Sequence, residues 1–345
     1  MKTAILGSGS WGTALASVLA TNGHQTSLWG RQEAIVQDVN QNHRNERYLK
    51  AAKLPLQLRA TLNLEEAVRQ ADLVIYAVAS QGMASTVELS RAYIPKSAIL
   101  AHAVKGFDLP TKRRMSQVLQ DAFPVQRRQI AVISGPSHAE EVVAGLPTTL
   151  VVASPVRKTA EQVQDALMNS VLRVYTNPDV VGAELGGSLK NIIALGVGIA
   201  DGLGFGDNAK AALMTRGLAE IARLGTKMGA SPLTFAGLSG IGDLIVTCTS
   251  VHSRNFRTGR LLGQGLKLEQ ALQQVGMAVE GIPTTKAALQ LAEQYQVEMP
   301  ITEALARVLF EGKNPSEAGD DLMGRARSHE IEEVAREKMS PKWLE

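Results

Sequence analysis

The sequence predicts an α/β doubly wound sheet over residues 1–180, followed by an all-α domain over residues 181–345. Three observations carry this. Short β-rich runs alternate with helical patterns through the first half, which is the signature of parallel βαβ units. Residues 73–78 are continuously apolar, as strands become when helices cover both faces of a sheet. From about Pro178 onward the patterns are almost wholly helical.

The elements follow in order. Residues 3–6 form the first expected strand and Ser10–Thr21 the helix after it. Gln25–Trp29 is the second strand, 73–78 the third, 99–103 the fourth and Ile130–Ser134 the fifth, with 150–153 a further candidate. In the second half, 180–200 and 209–228 have helical length, and 284–295 and 302–310 follow. No repeat or low-complexity tract stands out, and the charged tail after Ser328 is expected to fray.

A chain of 345 residues exceeds one ordinary core, so two domains are expected. With 45% apolar and 20% charged residues, it can bury a large core and does not read as disordered. The net charge of +3 gives no reason to expect nucleic acid, and it leaves room for a local basic pocket. A single cysteine, Cys248, excludes a disulfide within the chain and a thiolate cluster, and no metal is expected. One cysteine also fits a reducing cytoplasm. The apolar run after Lys2 stops at Gly7, short of a signal peptide. No uninterrupted apolar segment reaches the ~18 residues of a spanning helix. The expectation is a soluble, cytoplasmic protein without membrane insertion.

Residues 7–12 read Gly-Ser-Gly-Ser-Trp-Gly, between the first strand and its helix. The pattern alone is weak, but this placement is that of a Rossmann-like dinucleotide site. Gly7 permits the tight turn, Gly9 lets the backbone approach a pyrophosphate, and Gly12 lets helix and strand pack closely. Free amides and the helix dipole favour the phosphates there. About twenty residues on, an NAD site places an acid against the ribose 2′-hydroxyl. Here the second strand runs into Gly30 and Arg31, with no acid at its end. Arg31 either pairs with a 2′-phosphate or is a solvated surface arginine. The first reading predicts that NADPH is accepted, in preference to NADH.

Between residues 180 and 200 the only charges are Glu184 and Lys190. A helix apolar on nearly every side is buried, which makes Lys190 costly unless it is paired or lines a cavity. Glu184 lies roughly 120° round the helix and is not an i,i+4 partner. Gly186 and Gly187, on the lysine's own face, leave room for a ligand. A buried lysine suits acid–base work; otherwise it snorkels from the helix. Asn191 is a hydrogen-bonding neighbour, and Asp243 either orients Lys190, binds a substrate hydroxyl or is a turn residue.

A phosphorylated substrate needs cations and donors. Lys105 and Gly106 follow the fourth strand, at the edge where doubly wound sheets bind ligands. Gly135, Pro136, Ser137 and His138 follow the fifth, with Ser137 the expected N-cap of the next helix. His138 is either an acid–base group or a satisfied helix-start histidine. Ser253, Arg254 and Asn255 gather a guanidinium with two polar side chains. Each cluster is also compatible with ordinary turns and caps.

Together these residues resemble the bacterial-type NAD(P)-dependent glycerol-3-phosphate dehydrogenases. The likeness runs from the first strand to about residue 330. It includes residues 7–12 with Trp11, Lys105-Gly106 and residues 134–141 (Ser-Gly-Pro-Ser-His-Ala-Glu-Glu). It continues through 187–192 (Gly-Ser-Leu-Lys-Asn-Ile) and 201–210 (Asp-Gly-Leu-Gly-Phe-Gly-Asp-Asn-Ala-Lys). Gly242-Asp243-Leu244, Ser253-Arg254-Asn255 and Val279-Glu280-Gly281 complete it.

The resemblance implies Lys190 as the proton-transfer residue. It implies Lys105, Gly135, Ser137, Lys190, Asp243, Ser253, Arg254 and Asn255 around glycerol 3-phosphate. Near the dinucleotide it implies Ser10, Trp11, Arg31, Lys105, Ala139, Arg254, Ala278 and Glu280, beside Gly7, Gly9 and Gly12. It further implies a homodimer that supplies glycerol 3-phosphate for phospholipid synthesis. Family members often carry His-Arg after the second strand, where this chain has Gly30-Arg31. Two other readings of the residues stay open. One is a dehydrogenase of another phosphorylated or small hydroxy acid. The other is a non-catalytic nicotinamide-sensing module, which keeps the glycines but has no need of Lys190.

Overall fold

The computed structural model describes residues 1–50 and 52–326. The expected fraying after Ser328 falls outside them. The chain divides into two compact units, Met1–Gly187 and one that begins at Ser188. The division falls inside a single helix, Val180–Gly202.

The first unit holds β1 (Lys2–Leu6), β2 (Gln25–Trp29), β3 (Arg59–Thr61), β4 (Leu73–Tyr76) and β5 (Ile99–His102). It continues with β6 (Phe107–Asp108), β7 (Arg113–Arg114), β8 (Ile130–Ser134), β9 (Thr148–Ala153) and β10 (Leu172–Asn177). Eight of these form one sheet in the order β10-β9-β8-β5-β4-β1-β2-β3, and β6 and β7 form a separate hairpin. The order reverses at β1. The chain winds outward through β2 and β3, then returns to β4 on the other side. In open α/β sheets the crevice at such a switch point is where ligands bind.

Alternation along the strands fills two cores. Ile5, Leu28, Leu73 and Ile75 face the Ser10–Thr21 helix through Leu15, Val18 and Leu19. Ala4, Leu6, Val74 and Tyr76 face the opposite layer with Val68, Met83, Val87 and Leu119. Covering both faces is what makes these strands continuously apolar.

The sheet departs from the all-parallel expectation in one place: β9 runs antiparallel to β8, and β10 parallel to β9. The link from β8 to β9 contains only the five-residue helix Ala139–Val143, which packs on the Ser10–Thr21 helix. The chain therefore makes no crossover and re-enters the sheet from the end at which it left.

The second unit is helical, with Asp207–Lys227, Asp243–Thr249, Arg254–Gly263, Gly281–Tyr295 and Pro300–Phe310 following the end of Val180–Gly202. Two of these helices meet at backbone distance. A β-carbon at Gly198 would lie 2.2 Å from the Phe256 carbonyl oxygen, and one at Gly259 would lie 2.1 Å from that of Leu195. Small residues spaced one turn apart on both helices allow this approach and fix their register. At the N-terminus of Pro300–Phe310, the buried Glu220 carboxylate accepts the amides of Ile301 (2.5 Å) and Thr302 (3.2 Å), orphan donors of the first turn.

By length and composition alone, Val180–Gly202 and the run Pro232–Thr249 are apolar enough to cross a membrane. The first is 83% buried in protein and carries the buried charges Glu184 and Lys190, as a core helix does.

Candidate active site

At the end of β1 the backbone turns through Gly7, whose φ of +124° suits only glycine. Its amide donates to the Trp29 carbonyl at 3.0 Å. A β-carbon at Gly12 would lie 1.9 Å from the Gly7 carbonyl oxygen, so helix and turn touch. Gly9 is the N-cap, with open space beside it, and Ser10 and Trp11 begin the helix. Three glycines, one each for the turn, the open approach and the close packing, match what a pyrophosphate cradle needs. The loop lies at the switch point and fits a dinucleotide.

Arg31 is exposed just beyond β2, with its guanidinium 5.7 Å from the Trp29 ring centroid and 3.3 Å from the Thr86 hydroxyl. On the same edge of the sheet, Lys105 donates through Nζ to the Gly135 carbonyl at 3.1 Å. Gly135 has φ +108°, and Ser137 donates to the same carbonyl at 3.0 Å. Ala139 is buried at the start of the following helix. Ser137 is not the N-cap expected from sequence. His138 takes that position without a side-chain capping bond, because the Ser137 hydroxyl is directed back to Gly135.

Glu184 also belongs to the first unit. Its carboxylate accepts from His102 Nε2 (3.1 Å), the Ser116 amide and hydroxyl (2.7 Å each) and the Arg114 guanidinium. Burial alone would raise its pKa. The His102 hydrogen bond and charge, the Arg114 guanidinium and the Ser116 amide outweigh that and hold it at about 2.

In the second unit Lys190 is 5% exposed. Its ammonium is ion-paired with the Asp243 carboxylate and donates to the Thr247 hydroxyl at 2.6 Å. Thr247 donates in turn to the Asp243 carbonyl at 2.6 Å. Asp243 and Thr247 sit one turn apart on Asp243–Thr249 and face the lysine together. Burial pushes the neighbouring Cys248 thiol up to about 12, which leaves it inert as a nucleophile.

Ser253 caps Arg254–Gly263, accepting the Phe256 amide at 3.2 Å. Arg254 is the first residue of that helix and half-buried. The buried Asn255 donates to Asn191 Oδ1 at 2.9 Å and accepts the Gly281 amide at 2.9 Å. It thereby ties three helices together beside Lys190. Glu280 is the N-cap of Gly281–Tyr295 and Ala278 is exposed two residues before it. Each unit thus collects its own set: the glycine loop, Lys105, Gly135 and Ser137 in the first, and Lys190, Asp243, Asn191 and Asn255 in the second. Sequence reasoning missed Thr247. The only signal for it is its i+4 spacing from Asp243.

Family models match the chain twice. Residues 2–160 match the NAD-dependent glycerol-3-phosphate dehydrogenase N-terminus, and residues 179–320 match the C-terminus of the same family. A glycerol-3-phosphate dehydrogenase (NAD(P)+) of Bacillus velezensis is 54% identical over 334 residues, 96% of this chain and 97% of that protein. The enzyme of the same name from Bacillus subtilis is 52% identical over 334 residues, with the same 96% and 97% coverage. Among solved structures, a glycerol-3-phosphate dehydrogenase from Coxiella burnetii superposes with a TM-score of 0.89 at 38% identity, covering 94% of this chain and 98% of that one.

Proposed function

The chain belongs to the NAD-dependent glycerol-3-phosphate dehydrogenases, and from that premise we propose that Lys190 moves the proton of its reaction and the glycine loop holds its dinucleotide. The protein is an NAD(P)-dependent oxidoreductase that interconverts dihydroxyacetone phosphate and sn-glycerol 3-phosphate. When bound, the nicotinamide supplies a hydride to the carbonyl carbon or takes one from the carbinol carbon.

The chain's own residues do the rest. In reduction the Lys190 ammonium gives a proton to the forming alkoxide, and in oxidation its free amine takes the proton from the hydroxyl. Asp243 and Thr247 hold the Lys190 nitrogen in place, and the carboxylate compensates a charge that would be prohibitive alone. We assign Lys105, Gly135, Ser137, Asp243, Ser253, Arg254 and Asn255 to the substrate. The cations Lys105 and Arg254 offset its phosphate. Asn255 contributes by fixing the turn at Gly281, since its amide is engaged within the protein.

Gly7, Gly9, Ser10, Trp11, Gly12, Arg31, Lys105, Ala139, Arg254, Ala278 and Glu280 are assigned to the dinucleotide. Arg31, exposed beyond a strand with no terminal acid, gives NADPH the advantage over NADH. The same reading makes the enzyme a cytoplasmic homodimer that supplies glycerol 3-phosphate for phospholipid synthesis, with neither nucleic acid nor a membrane as partner.

The observation that carries the reading is the buried Lys190–Asp243–Thr247 cluster. Initial rates of dihydroxyacetone phosphate reduction, measured with NADPH and with NADH, test it. Oxidation of either cofactor supports it. No oxidation of either by folded protein would defeat it.

A further inference from the structure

We propose that Ser8 determines which dinucleotide this protein accepts, by keeping every side chain, and so any ribose-binding carboxylate, out of position 30. The proposal rests on the reading of residues 7–12 as the dinucleotide loop.

Gly30 directly follows β2, in the region where an NAD site places its acid. It is buried, and its backbone is not in the left-handed region. Conformation therefore does not demand glycine there; space does. A β-carbon on Gly30 would stand 2.2 Å from Ser8 Oγ and 2.7 Å from Ser8 Cβ. Turning the Ser8 hydroxyl away would remove the first clash but not the second, because Cβ does not move with the rotamer.

Neither backbone is free to retreat. The Ser8 carbonyl accepts from Asn45 Nδ2 at 3.0 Å and from the Thr13 hydroxyl at 3.4 Å. Asn45 is wholly buried and also holds Thr13 Oγ1 at 2.8 Å. On the other side, the Gly30 amide donates to the Thr61 carbonyl at 3.2 Å. Ser8 and a side chain at position 30 thus compete for one volume, and the serine occupies it. A carboxylate there would accept from a ribose 2′-hydroxyl and repel a 2′-phosphate. With it excluded, the exposed Arg31 is the charged residue next to that position. Excluding the wrong group is as effective a route to specificity as adding the right one.

The test introduces Gly30→Asp into two backgrounds, the natural chain and the Ser8→Gly variant. Dissociation constants for NADPH and NADH are read by nicotinamide fluorescence, beside melting temperatures. In the natural background, Gly30→Asp should weaken both cofactors by at least ~10-fold, because the loop is displaced. In the Ser8→Gly background the same change should tighten NADH and weaken NADPH, moving their ratio by ~100-fold or more toward NADH. If Gly30→Asp has the same effect in both backgrounds, Ser8 does not control position 30 and the proposal is wrong. Should Gly30→Asp fail to fold in the natural chain, Gly30→Ala reads the same competition. It should lower the melting temperature there and not in the Ser8→Gly background, and equal losses would overturn the proposal. Failure of the unmodified protein to bind either cofactor is a separate result. It would overturn the dinucleotide reading of the loop, and the proposal with it.

Discussion

The carboxylate of Asp243 is paired with the ammonium of Lys190 inside the helical unit, and both side chains are almost wholly withdrawn from solvent. Thr247, one turn beyond Asp243, takes a second hydrogen of the ammonium at 2.6 Å. A buried lysine so held cannot wander among rotamers, which is what a proton donor aimed at one oxygen requires.

Breaking this pair from the carboxylate side should cost both stability and rate. Asp243→Asn leaves Lys190 without its counter-ion and should destabilise the fold by about 3 kcal/mol and lower kcat by ~10-fold or more. Adding Lys190→Met to that variant should restore stability without restoring activity, because it removes the stranded charge. Denaturant unfolding and steady-state rates separate the two effects. A double variant as unstable as Asp243→Asn alone would mean that the pair is not the source of the cost.

Arg31 is predicted to read the cofactor's 2′-phosphate. Arg31→Asp should weaken NADPH by ~100-fold or more and NADH far less, since a charge-assisted pair becomes a like-charge contact. Cofactor titrations of the two proteins decide it. Equal losses for the two cofactors would remove the role.

Glu184 should make the protein acid-sensitive in a defined window. Its folded pKa of about 2 lies below the ordinary 4.5, so the unfolded chain takes up the proton more readily. The stabilisation is complete above pH 4.5 and is lost as the pH falls toward 2. A depression of that size corresponds to about 3 kcal/mol at neutral pH. Glu184→Gln should therefore be less stable than the natural protein at pH 7, with the gap closing between pH 4.5 and 2. A gap that stays constant over that range would contradict the assignment.

Much of this was legible in the sequence, where local pattern carries the information. The boundaries of β2, β8 and the Ser10–Thr21 helix agree with their apolar patterns, and the G-x-G-x-x-G fell where a strand meets a helix. β3 has only three residues, too few to display a period. β10 alternates buried and exposed residues, Leu172, Arg173, Val174, Tyr175, a period-two signal that the sequence does carry. The reversed direction of β9 could not be read, because alternation with period two is the same in either direction.

The site shows the same division. Lys190 and Glu184 are the only charges between residues 180 and 200, and that contrast marks the lysine in the sequence; its pairing with Asp243 rests on a contact 53 residues away. The partners of Glu184, namely His102, Arg114 and Ser116, lie 68 to 82 residues away. Only the folded chain brings them together. The contest between Ser8 and Gly30 is likewise invisible until β1 and β2 pair side by side.

The most direct test of the central claim is the turnover of Lys190→Ala set against its cofactor affinity. If Lys190 transfers the proton, kcat should fall by at least ~100-fold, while the dissociation constants for NADPH and NADH stay nearly unchanged. A variant that keeps kcat within a few-fold of the natural protein, with its fold verified, would show that the proton moves through another group.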